Sequence, residues 1–108
     1  MLKKLATAAT IVALSAGVAS AKDQFGILGG AMQGDTYYDV KLASVSEDGS
    51  SVQIETFNGV VVGMMALKKG PNTNVRVPLM GPASGEDLIA KLIVNGMVVD
   101  ATMIEVQR

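Results

Sequence analysis

The 108-residue chain has no cysteine and no histidine, sets nine basic against ten acidic side chains, and is 49% hydrophobic with only 4% aromatic residues. Those absences remove thiolate nucleophiles, Ser-His and Cys-His pairs, a disulfide framework and zinc sites of the usual kinds. With no basic cluster larger than Lys68-Lys69, nothing is offered to a phosphate backbone, and no nucleic-acid partner is expected.

In chain order, Lys3 and Lys4 precede an uncharged stretch, 5–21, rich in Ala, Leu, Ile and Val, which closes on Ala19-Ser20-Ala21 before charge resumes at Lys22 and Asp23. This is the order of a secretory signal peptide, 1–21, cleaved after Ala21. The stretch is short and polar for a membrane span, so no membrane association is expected once it is removed. What remains is 87 residues with seven basic and ten acidic side chains, a net charge of −3, placed in the periplasm or secreted. A chain of that length makes one domain with a thin stability margin.

Residues 22–35 hold Gly26, Gly29, Gly30 and Gly34 around Phe25, Ile27, Leu28 and Met32, and read as an irregular Gly-rich arm. From 36 a β-sandwich domain is predicted to run to 108. Its first strand is 36–46 (TYYDVKLASVS), ended by a turn at 47–50, and its second is 52–57 (VQIETF). Asn58-Gly59 suits a type I′ hairpin turn. Residues 60–67 (VVVGMMAL) lack any polar side chain, which predicts a strand covered on both faces, held soluble by Glu55 before it and Lys68-Lys69 after it. Residues 74–79 alternate, with Val75, Val77 and Leu79 on one face and Pro78 marking an edge or strand end.

Residues 86–94 fit two readings. Ser84 as N-cap and Leu88, Ile89, Leu92 and Ile93 at helical spacing allow a short helix. A hairpin about Asn95-Gly96 pairs Val94 with Met97, Ile93 with Val98, Leu92 with Val99, Lys91 with Asp100 and Ala90 with Ala101. That register puts Leu88, Ala90, Leu92, Val94, Met97, Val99, Ala101 and Met103 on one apolar face and sets the charged pair opposite each other. Six or seven short strands then make an all-β fold, a small antiparallel sandwich of the immunoglobulin-like kind or a small barrel.

Little of the sequence carries chemistry. Glu47-Asp48 and Glu86-Asp87 are adjacent rather than opposed carboxylates, so no catalytic residue is assigned and no enzyme is expected. Met32, Met64, Met65, Met80, Met97 and Met103 raise copper(I), but without clustering they read as adaptable core filler. Asp35, Asp39, Glu47 and Asp48 match no calcium loop. Tyr37 and Tyr38 share a strand, so one is expected to be buried and neither offers a clear sugar platform. No cofactor and no metal site is predicted.

YYDVKLASVSEDGSS at 37–51, the Leu67-Lys68-Lys69-Gly70 turn and AKLIVNGMVV at 90–99 resemble the small periplasmic immunoglobulin-like accessory proteins of curli systems, although this chain lacks the cysteines many of them carry. GVVVGMMALKKGPNTNVRVPL at 59–79 is equally similar to exported β-sandwich domains of unknown function. The curli resemblance implies a non-enzymatic binding domain, an accessory or chaperone-like factor for an extracellular polymer. The alternatives are a self-assembling surface component and, third, a methionine-based copper carrier. The hairpin face away from the core would carry Ile89, Lys91, Ile93, Val98, Asp100, Thr102 and Ile104, too apolar to be left to solvent. The arm, with Phe25, Ile27 and Leu28 folding back over it, is the first expected cover, and a protein partner is the alternative that would make it a binding face.

Overall fold

A computed structural model describes residues 23–108; the expected signal peptide, 1–21, and its expected cleavage site after Ala21 lie outside the described residues. Among these, the chain forms nine strands and no helix: β1 Gln24–Leu28, β2 Ala31–Met32, β3 Tyr37–Val45, β4 Ser50–Thr56, β5 Val61–Leu67, β6 Gly70–Pro78, β7 Leu88–Val94, β8 Met97–Ile104 and β9 Val106–Gln107. The helical reading of 86–94 is therefore wrong. Long-range cross-strand pairing on both sides of β7, to β4 and β8, outweighs a capped four-residue spacing that offers only local bonds.

Two sheets face each other. One has the order β1-β3-β6 and the other β5-β4-β7-β8, all antiparallel, while β2 and β9 form a short parallel pair. The core between them is built from alternating positions: Tyr38 and Val40 on β3, Val77 on β6, Val52 and Ile54 on β4, Ala90, Leu92 and Val94 on β7, and Ile104 on β8. Period-two burial of this kind is what the sequence alternation dictates when one sheet face meets another.

Residues 22–35 were expected to be an irregular arm, yet Gln24–Leu28 is an edge strand paired with β3. Its register slips twice around Ile27, which leaves Ile27 exposed while Phe25 and Leu28 pack against the core. Glycines hid the strand in the sequence because bulges disturb the alternation by which strands are recognised. Asp23 ties down the start of β1, accepting the Ser46 amide at 2.6 Å and the Ser46 hydroxyl at 3.1 Å.

The closing hairpin forms about Asn95-Gly96 with both residues at positive φ, as a type I′ turn requires. Val94–Met97 and Ile93–Val98 pair as expected, but the register then slips between Leu92 and Ile93, leaving Val99 as the extra residue of a bulge. Leu92 therefore faces Asp100 and Lys91 faces Ala101. At Asn58-Gly59 only Gly59 has positive φ, so this turn is not type I′. The Thr56 amide donates to the Val60 carbonyl, the Gly59 amide donates to the Thr56 carbonyl, and the β4–β5 register shifts at Glu55.

Both lateral gaps between the sheets are bridged. On one side Gly63 of β5 meets Leu79 and the Met80 amide donates to the Val62 carbonyl at 2.7 Å. On the other the Asp100 carboxylate accepts the Phe25 amide of β1 at 2.8 Å and its own neighbour's amide, Ala101, at 2.9 Å. The bulge at Val99 is what turns Asp100 toward β1.

Tyr38 is buried and donates its hydroxyl hydrogen bond to the Gly29 carbonyl at 2.7 Å, fixing the chain after β1. Burial, and after it the charge of Asp39, pushes the phenol well above its ordinary pKa. The fold thus holds a proton that the unfolded chain releases near pH 10, so stability is intact below about pH 10 and falls as pH rises past it. Tyr38→Phe is expected to cost about 1 kcal/mol at neutral pH and to remove part of that alkaline loss. Urea unfolding of both proteins from about pH 8 to 11 checks this, and a constant difference between them throughout would show that the phenol is not responsible.

Candidate protein-interaction surface

The outer face of the four-stranded sheet is laid out by register. One row across β5, β4, β7 and β8 reads Ala66, Ser51, Ile93 and Val98; the next reads Met64, Gln53, Lys91 and Ala101; the third reads Val61, Glu55, Ile89 and Met103. Ile89, Lys91, Ile93 and Val98 thus share this face as expected. Asp100, Thr102 and Ile104 do not, because the Val99 bulge shifts every later residue of β8 to the opposite side. Ala101 and Met103 take their places, while Ile104 is buried in the core and Asp100 in the gap beside β1.

The arm does not cover this face either, since β1 lies in the other sheet. The middle of the face is polar. The Lys91 ammonium pairs with the buried Glu55 carboxylate at 3.0 Å, replacing the cross-strand partner Asp100 anticipated from the unbulged register. Ile89 and Ile93 flank this ion pair and are half-buried.

β5 departs further from expectation. Its uncharged sequence predicted cover on both faces, but it is the end strand of its sheet, and Met64, Met65 and Ala66 are exposed. The bridge to Leu79 and the Met80 bond meet only its first half, at Val62 and Gly63. Phe57 and Val60 before β5, and Met80 beside it, are exposed as well. A run without polar side chains cannot by itself distinguish a buried strand from a sticky edge. The flanking Lys68 and Lys69, both exposed, were the signal that this one is an edge.

The methionines correct a second expectation. Among the described residues no methionine belongs to the buried core; Met32, Met64, Met65, Met80 and Met97 are exposed and Met103 is half-buried on the outer face. Met97 and Met103 were placed inside by the unbulged register. Met97 instead sits at the exposed hairpin tip, and the bulge turns Met103 outward.

Elsewhere the polar groups serve the fold. Asp35 accepts the Met32 amide, Asp39 pairs with Arg76 at 3.2 Å, Asp48 accepts the Lys69 amide and Glu47 accepts the Asn95 side-chain amide. Among the described residues, no group of three or more acidic side chains is arranged to hold a metal ion. Tyr37 is exposed, but the Arg76 guanidinium stacks 4.0 Å over its ring. A cavity of about 520 Å³ between Gln24, Ser44, Ser46 and Lys69 sets no acid against a base. No helix of the described residues is long and apolar enough to cross a membrane. No family model, no curated protein and no solved structure matches the chain.

Proposed function

We propose that the chain is an exported, non-enzymatic binding domain that takes up an extended, uncharged segment of another protein along β5, adding it as a strand to the four-stranded sheet. The observation that carries this reading is the gathering of exposed apolar side chains on β5 and its flanks: Phe57, Val60, Met64, Met65 and Met80. Main-chain groups of an end strand supply affinity without regard to sequence, and methionine side chains adapt to whatever they meet. An immunoglobulin-like assignment fits the strand order β1-β3-β6 and β5-β4-β7-β8, and fits the way β2 leaves β1 to run parallel with β9. A β-rich polymer subunit, as the curli resemblance implies, is a partner of the required chemistry.

The test is a titration of the isotopically labelled protein with a capped eight-residue peptide of alternating Val and Thr, followed through backbone amide resonances. Binding is expected to shift the amides of residues 64–67, and Met64→Lys combined with Met65→Lys to weaken it about tenfold or more through the cost of burying charge. Shifts confined to residues outside β5 would sink the reading. Absence of binding together with a solution mass that grows with protein concentration would favour the self-assembling alternative.

A further inference from the structure

We propose that Met64 and Met65 are oxidation sites, and that their conversion to sulfoxides by peroxides closes the β5 edge to an extended partner without unfolding the domain; the second half of this inference rests on the proposed docking mode. The chain has no cysteine and no tryptophan, so the thioethers are its most readily oxidised side chains. Relative exposure grades them: Met80 77%, Met32 60%, Met97 58%, Met64 50% and Met65 39%. The three most exposed lie outside the middle of β5, on a loop, on the short β2 and at the hairpin tip, whereas Met64 and Met65 occupy consecutive positions of β5 and so project to its two faces.

The reaction is a two-electron oxygen transfer. The sulfur attacks one oxygen of the peroxide, an S–O bond forms as the O–O bond breaks, and the proton on the transferred oxygen passes through water to the departing hydroxide, which leaves as water. Sulfur is oxidised and the peroxide is reduced. Each event replaces an apolar, adaptable side chain with a strong hydrogen-bond acceptor. On β5 this puts a polar oxygen on both faces of the strand that would receive the partner. Because no methionine of the described residues lies in the core, the packing that holds the sheets together is untouched. By exposure Met80, Met32 and Met97 react first; Met80 lies only on the flank of the docking surface, and the middle of the edge closes when Met64 and Met65 follow, which makes the switch a dose-dependent one.

The experiment treats the protein with graded hydrogen peroxide and maps each methionine by peptide mass spectrometry, alongside urea unfolding and binding of the Val-Thr peptide. Met64 and Met65 are expected to oxidise in the folded protein after Met80, with the urea midpoint unchanged and peptide affinity reduced about tenfold or more, the consequence of burying an unpaired polar group. Met64→Leu combined with Met65→Leu removes the oxidisable sulfurs of β5, and, whatever its starting affinity, that affinity is expected to fall markedly less on treatment than the parent's, the remainder being the share of Met80. Met64 and Met65 staying reduced until the protein unfolds would overturn the assignment. Equal loss of affinity in the leucine variant would overturn the switch. If the untreated protein does not bind the peptide, the docking mode fails and the switch with it, while the mapping still decides whether the two residues are oxidation sites.

Discussion

Asp100→Ala is expected to lower the unfolding free energy by about 2–4 kcal/mol, because it strands two amides in a partly buried place. The carboxylate is buried at the gap between the sheets, where it accepts the Phe25 amide of β1 and the Ala101 amide of its own strand. Neither alanine nor a stray water supplies two acceptors held at both positions. The loss should be localised as well as global, since β1 is an edge strand with two register slips. Amide exchange at Phe25 is expected to rise more than exchange in β4 or β7. Asp100→Asn retains one acceptor oxygen and should cost about half as much. Urea unfolding with amide exchange tests this, and an Asp100→Ala midpoint within experimental scatter of the parent would show that the bridge contributes nothing.

The opposite gap gives the second large effect. Gly63→Val is expected to destabilise the protein by about 2–4 kcal/mol and to increase its self-association. A Cβ at Gly63 would lie 2.8 Å from the Pro78 carbonyl oxygen and 3.0 Å from the Leu79 side chain, so the backbone of β5 and the end of β6 would have to separate. Separation releases the first half of β5, at Val62 and Gly63, and lengthens an edge that is already open from Met64 onward. Sedimentation across concentration reads the association and urea unfolding reads the stability. A variant that is less stable yet stays monomeric would separate the Gly63 contact from the behaviour of the edge. Gly63→Ala is the milder form, with the same clash from a single methyl group.

These two contacts bear on function because they decide which edge is left free. Asp100 and β1 occupy the β8 side of the four-stranded sheet, and Leu79 with Met80 occupy the start of β5. On the proposed docking mode, the second half of β5 is the part left to take a partner. Lys68 and Lys69 stand exposed at its end, and replacing both with Ser is expected to increase self-association with little loss of stability, which sedimentation across concentration checks.

By itself the sequence determined the all-β class, most strand positions and much of the core. Val52, Ile54, Ala90, Leu92 and Val94 alternate with less buried or edge-facing neighbours, and Asn95-Gly96 takes the two positive φ angles the hairpin needs. Such features are local: they depend on side-chain period and on turn residues a few positions apart. The tertiary structure decided everything that depended on a one-residue offset or on a distant neighbour. One extra residue at Val99 moved Asp100, Thr102 and Ile104 off the expected partner face, brought Ala101 and Met103 onto it, and gave Lys91 to Glu55 instead of Asp100. A strand's faces alternate every residue, so a single bulge inverts all that follows, and no composition or periodicity marks where it falls. The edge position of β5, and with it the exposure of Met64 and Met65, follows from which strands lie beside it, and that is set by the sheet order rather than by the residues of β5.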